Sequence, residues 1–321
     1  MGEAQLCRRG GNTFRGLVIV TPPARTAYFA GEYADLSGMA VAADFGTFTL
    51  PLSETAWTYA PTGPLAESDT AVTVTAEIGG RTGTVSVPIT VSAVNPVFGE
   101  NSWTAIARVA ALGQAGDYWS VGDSKTEGGI TYTIIGMDHD SLSSIDAMYS
   151  DPSYNGNSHK AAITIQVMTA AGPAKMNETD TNVGGWDTCY LRGTVLPAYI
   201  ANMPDDLRSV LRTVDKQTSI GGYNTTEMVV SMDRLFLLAM SEMRTVSNNY
   251  TVLADEIAAN PEYDYYANVG DWYKGVTEWT RSPHAPRSCN TASHFMASGN
   301  TPDYIQGNAS TAYSYFPAFC I

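Results

Sequence analysis

Two-residue alternation of apolar and polar positions dominates the first hundred residues. From Asp69 onward Val72, Val74, Ala76 and Ile78 share one face, Gly79 and Gly80 interrupt, and Val85, Val87, Ile89 and Val91 resume the period. The pattern predicts an antiparallel hairpin with one buried face. Pro88 falls on the polar side of its strand and predicts an edge position, because proline has no N–H for a ladder. Upstream, Val18 with Val20, Val41 with Phe45, and Trp57 with Tyr59 mark further short strands between Pro22-Pro23, Gly31, Gly38, Gly46 and the Pro61–Pro64 turn. Short strands at this spacing predict a small β-sandwich over residues 16–93, behind an N-terminal arm at 1–15.

The period then changes. Ser92-Ala93-Val94-Asn95-Pro96 reads as the start of a linker, placed at 94–105, with a second domain over 106–321. Ile106, Val109 and Leu112 follow helical spacing, whereas Ile130–Ile135 and the alternating Ile163, Ile165 and Val167 read as strands. Leu196, Ile200, Met203, Leu207, Leu211 and Val214 recur at three- and four-residue steps and predict two short helices, the second opening with Pro204 at its first position. The expected class is mainly β, with an α+β second domain.

Composition adjusts this picture modestly. Of 321 residues 44% are apolar and 16% charged, a balance suited to strands and loops. Acidic residues outnumber basic ones 32 to 18, and the net charge of −14 repels phosphate backbones and anionic headgroups, so nucleic acid is not an expected partner. The apolar run Leu17–Val20 is far too short for a signal-peptide core or a membrane span, so neither export nor membrane insertion is expected. Cys7, Cys189, Cys289 and Cys320 include no CxxC pair, which argues against a zinc knuckle or a thioredoxin-like site; a Cys289–Cys320 bridge stays open. No metal or other cofactor is expected.

Two resemblances bear on the fold. Tyr28, Gly31, Glu32, Asp35, Leu36, Gly38 and Val41 follow the pattern that opens the bacterial immunoglobulin-like repeat, so residues 16–93 resemble such a domain. In the remainder, GDYWSVGDSK (Gly116 to Lys125), ITYTIIGMDHD (Ile130 to Asp140), GGWDTCYLRGTVLP (Gly184 to Pro197), DRLFLLAMSEM (Asp233 to Met243), WTRSP (Trp279 to Pro283) and PAFCI (Pro317 to Ile321) occur in an order similar to that of an uncharacterised domain of prophage structural proteins. That resemblance implies a C-type-lectin-like fold, shared with formylglycine-generating enzymes and phage receptor-binding proteins. It implies a structural role in a virion, tail-associated or on its surface.

Met137-Asp138-His139-Asp140 offers two carboxylates and an imidazole, but strand alternation would place His139 opposite both aspartates, and a structural turn is the favoured reading. The tripeptides of calcium-dependent sugar binding, Glu-Pro-Asn, Gln-Pro-Asp and Trp-Asn-Asp, do not occur. A thiol enzyme of the formylglycine-generating type would need Cys289 and Cys320 together with an activating base. Trp119, Trp186 and Trp279 read as core residues whose N–H finds one partner. The strongest binding candidate is the polar stretch Ser288–Tyr315, which lacks Lys and Glu and holds Asn290, Thr291, Ser293, His294, Asn300, Thr301, Asp303, Tyr304, Asn308, Tyr313 and Tyr315. Tyrosine with Asn, Ser and Thr is the composition of adaptable binding loops, although solvated loops share it.

The expectation is therefore a bacteriophage virion protein and not an enzyme, assembled in the bacterial cytoplasm and released by lysis. Its expected partners are other virion proteins and a host-cell surface receptor or glycan, with homo-oligomerisation or many copies supplying avidity. The alternative is a capsid or tail decoration protein with a purely structural role.

Overall fold

The structure is a computed structural model and describes residues 13–222, 226–244, 252–269, 274–284, 294–298 and 304–321. Strands outweigh helices, and the chain divides into two compact units, Met1–Val94 and Asn95–Ile321.

In the first unit, β1 (Gly16–Thr21), β3 (Ala40–Asp44) and β4 (Thr49–Pro51) form one antiparallel sheet. A second consists of β5 (Thr58–Ala60), β6 (Ala71–Ile78) and β7 (Arg81–Pro88), and β2 (Ala27–Phe29) pairs in parallel with β8 (Thr90–Ser92). The β6–β7 hairpin has the expected face: Val72, Val74, Ala76 and Ile78 are all buried, and Gly79 and Gly80 turn the chain at φ +58° and +79°. Pro88 lies on β7, at the margin of its sheet as expected. The first strand departs from the expected parity. Leu17 is buried while Val20 is 61% exposed, because Val20 is the extra residue of a bulge between Ile19 and Thr21 and turns outward.

The Tyr-Gly-Glu-Asp pattern has a mechanical explanation. The Tyr28 hydroxyl, inside the core, accepts a hydrogen bond from the Asp35 N–H at 3.1 Å. Glu32 Oε2 accepts from Phe29 N–H at 2.6 Å and pairs with Arg25, while Gly31 at φ +91° lets its N–H reach the Leu65 carbonyl. These contacts pin the turn between β2 and β3 onto the core of Leu17, Leu36, Val41, Val72 and Val74.

The second unit begins earlier than the sequence suggests. Residues 95–105, expected as linker, pack into it: Phe98 is buried edge-on to Trp103 and Trp119 at 6.4 and 5.4 Å, and the Asn101 amide donates to the carbonyls of Asn95 and Val97. The aromatic pair gives this stretch its own buried apolar area, which a Pro- and Asn-containing linker pattern conceals. Helix α1 (Trp103–Ala111) starts where Ser102 Oγ accepts from Ala105 N–H and buries Trp103, Ile106 and Val109. A short α2 (Ala115–Tyr118) follows.

A four-stranded antiparallel sheet runs β9 (Ser124–Glu127), β10 (Ile130–Met137), β11 (Ile163–Val167) and β19 (Ala318–Cys320). A five-stranded sheet has the order β12 (Pro173–Lys175), β18 (Ala312–Ser314), β15 (Glu278–Pro283), β16 (His294–Ser298) and β17 (Tyr304–Asn308). Between them in sequence lie α3 (Leu196–Ala201), α4 (Asp205–Val210), the hairpin of β13 (Val214–Ser219) and β14 (Met228–Asp233), and three short helices, α5 (Met240–Met243), α6 (Ala254–Ala259) and α7 (Asp264–Val269). Pro204 stands just before α4 with extended ψ rather than at its first position, and Val214 leaves the helical pattern to open β13. Trp119, Trp186 and Trp279 are core residues, each with one N–H partner: the Asn95 carbonyl, Asp233 Oδ2 and the Ala174 carbonyl.

Replacing Tyr28 with Phe removes the hydroxyl that satisfies Asp35 N–H while leaving the ring in place. The expected cost is about 1–2 kcal/mol of stability in the first unit, measured as a lowered urea midpoint.

Candidate functional site

Two assemblies in the second unit bear on function: a buried ionic cluster, and the polar strands above it in sequence that were singled out as a binding surface. The cluster starts from β13, where Val214, Lys216 and Thr218 face inward at a two-residue period, so a lysine occupies a core position. A buried ammonium is costly unless paired and hydrogen-bonded. Lys216 Nζ pairs with Asp140, which follows β10, and donates to Tyr263 OH at 3.0 Å and Glu242 Oε1 at 3.3 Å. Glu242, in α5, takes a bidentate bond from Arg281 of β15 at 2.5 and 2.7 Å. Arg281 also donates to Asn260 Oδ1 at 2.5 Å and the Leu237 carbonyl at 2.8 Å. The other oxygen of Asp140 accepts from Thr164 at 2.5 Å and Tyr263 at 2.8 Å.

Burial alone would raise the carboxyl pKa values here. For Asp140 the Lys216 ammonium, with His139 beside it, outweighs burial and holds the acid well below the usual range. For Glu242, burial is again outweighed, by Arg281 and then Lys216. Glu256 in α6 goes the other way: burial pushes it up to about 7 although Ser219 N–H donates to it at 2.7 Å.

The Met137–Asp140 segment is a structural turn. Asp138 adopts φ +49°, which breaks strand alternation and brings His139 Nδ1 within 3.5 Å of Asp140 Oδ1, rather than to the opposite face. Asp138 itself is exposed and accepts from the Asn155 amide at 2.6 Å. Among the described residues no group of three His, Cys, Asp or Glu side chains is placed to hold a metal ion. Cys320 is fully buried against Thr164 and Asp140, and burial followed by the Asp140 charge pushes its thiol well above its ordinary pKa. Cys189 is likewise pushed up to about 12 by burial. Cys7 and Cys289 lie outside the described residues, and with Cys289 the question of its bridge to Cys320.

The expected binding stretch is brought together in part. Asn290, Thr291, Ser293, Asn300, Thr301 and Asp303 lie outside the described residues. The β16–β17 register sets His294 opposite Asn308 and Tyr304 opposite Ser298 on neighbouring strands. Asn308 is exposed, as is Gln306 beside it on the same strand. Tyr313 is half-buried, with its ring 4.7 Å from Trp279. Tyr315 is only 5% exposed and meets Tyr199 edge-on, so it belongs to the interior and not to the surface set. An alternating run of small polar and aromatic residues does not by itself tell the inward tyrosines from the outward ones.

The ionic cluster was not foreseen as a unit. Asp140, Glu242, Arg281 and Cys320 come from four of the six sequence segments quoted above. A fifth, GGWDTCYLRG, contributes Trp186 and Arg192, both bonded to Asp233. Gly185 within it has φ +59°, and a Cβ there would meet the Ser219 carbonyl at 2.0 Å. No protein-family model matches the chain, and no curated protein matches it in sequence.

In the unfolded chain Glu256 ionises near 4.5, and in the fold near 7. The folded state therefore holds an extra proton between those values, and stability falls as pH rises through that window. Glu256→Gln, which keeps the acceptor for Ser219, is expected to remove this decline and to raise stability at about pH 8 by on the order of 3 kcal/mol, read from urea midpoints at about pH 5 and pH 8.

Proposed function

We propose that this chain is a structural protein of a bacteriophage particle, tail-associated or surface-exposed. In this reading an immunoglobulin-like domain precedes a C-type-lectin-like domain whose C-terminal strands attach to a host-cell receptor, glycan or other ligand. The observation that carries the reading is the construction of β16 and β17. The outer strand exposes uncharged polar side chains, Gln306 and Asn308, while Phe295 and Met296 on the inner strand are buried over Trp279 and the arginine-bearing strand β15. Adaptable polar contacts on a rigid, deeply anchored platform suit recognition better than they suit chemistry. Gly307 sharpens the point: a Cβ there would lie 2.5 Å from the Trp279 ring, so the outer strand sits directly on the core.

A non-enzymatic role is supported by the setting of Cys320, whose thiol is buried and held protonated, the opposite of an activated nucleophile. The motif order supports kinship with prophage structural proteins, and attachment through one polar strand implies many copies on the particle to gain avidity. The decoration reading is favoured by one feature: Val230 and Met232, alternate residues of β14, are 47% and 50% exposed and would suit contact with a neighbouring subunit.

The test is binding of the fluorescently labelled full chain, presented as a multimer, to a panel of bacterial strains. Wild type is expected to bind at least one strain saturably, and a folded Gln306→Ala, Asn308→Ala variant to lose about tenfold or more in affinity. Binding that is unchanged in the variant removes these strands from recognition; no binding to any strain favours decoration.

A further inference from the structure

Beside the ionic cluster a cleft of about 300 Å³ opens, lined in part by Lys160, Ser141, Asp215, Gln217, Val230 and Pro261. Lys216, Asp140 and Glu242 also reach it, but their charges face one another and Arg281 and are spent internally. The rim carries two charges that are not spent. Ser141 pairs with Lys160 on one side, and its carbonyl accepts from Asp215 N–H at 3.0 Å on the other, so the three residues stand in a row across adjacent chain segments. Lys160 Nζ donates to Ser141 Oγ at 3.1 Å and the His139 carbonyl at 3.0 Å, both uncharged, which leaves one proton and the whole charge without an anion among the described residues. The Asp215 carboxylate has no hydrogen-bond or ion-pair partner among the described residues, and Lys160 does not reach it.

We propose that this cleft binds a small zwitterion, a molecule carrying an ammonium and a carboxylate or phosphate a few ångströms apart. The ammonium meets Asp215 and the anion meets Lys160. Because the lysine head rests over Ser141, the residue next to Asp215 in the row, a ligand whose charges lie a few ångströms apart suits the pair. A lone cation would gain Asp215 but face Lys160, and a lone anion the reverse, so a ligand that carries both charges is the one that satisfies both. Val230, 47% exposed, and Pro261 supply an apolar wall for the carbons that join the two charges. Charge-assisted hydrogen bonds at both ends fix the ligand's orientation. This site is separate from the β16–β17 surface and does not depend on the attachment reading.

The experiment is calorimetric titration of the full chain near pH 7 with phosphoethanolamine, beside ethanolamine, inorganic phosphate and glucose. Saturable binding of phosphoethanolamine is expected, with Asp215→Asn and Lys160→Gln each weakening it by about tenfold or more, and the single-charge fragments and glucose weaker by at least that factor. Asp215→Asn should leave the thermal midpoint unchanged within about 2 °C, because the carboxylate makes no internal bond, so it carries the test even if Lys160→Gln destabilises the fold. Absence of saturable binding, an unchanged affinity in folded Asp215→Asn, or equal binding of one fragment or of glucose overturns the proposal.

Discussion

Two cations and two carboxylates are buried together in the second unit, and the arrangement of its segments follows from having to satisfy them. Lys216, Arg281, Asp140 and Glu242 are each at most 4% exposed at the side chain. Charges so placed are tolerated when they are paired and hydrogen-bonded, and removing one member leaves another uncompensated at a cost of about 3–5 kcal/mol. The members come from the end of β10, from β13, α5 and β15, with Tyr263 and Asn260 from the segments around α6 and α7. Elements too short to be stable alone are thereby held at fixed positions by a shared electrostatic requirement. The run Leu235–Ala239 illustrates it. The run is buried with little regular structure, and its backbone is satisfied by neighbours: the Leu237 and Leu238 carbonyls by Arg281, and Phe236 by Ala318.

This constraint explains which parts of the molecule were legible in the sequence. Alternation exposed β6 and β7 because one face is buried and the other wet, and helical spacing exposed α1 for the same reason. The first strand misled by one residue because a bulge at Val20 has no signature in apolar period. Residues 95–105 read as linker because Asn and Pro dominate the local pattern, whereas Phe98 and Trp103 decide the packing. Lys216 and Arg281 were illegible as core residues, since polarity is the usual sign of exposure and a partner distant in sequence cancels it. Among the expected binding residues Asn308 is exposed and Tyr315 is buried, a difference that composition does not reveal because tyrosine serves cores and surfaces equally well.

Function enters through the same geometry. Arg281 and Trp279 belong to one strand, so the charge network and the aromatic floor beneath β16 and β17 are continuous. In the proposed attachment role, a strand on such a floor would be pre-organised and would lose little entropy on engaging a ligand. Asp140, Glu242 and Arg281 supply the interior of this platform, whereas Gln306 and Asn308 lie on its outer strand.

The central claim is that the cluster acts as one cooperative unit, and a double-mutant cycle on Glu242 and Arg281 tests it most directly. Stability would be measured by urea unfolding of the second unit for wild type, Glu242→Gln, Arg281→Met and the pair. The account predicts that each single change costs about 3–5 kcal/mol and that the double variant costs well under their sum, because each single change strands the other member of the pair and the double variant removes both. Small, additive losses would contradict it, and would mean that the four charges are accommodated independently.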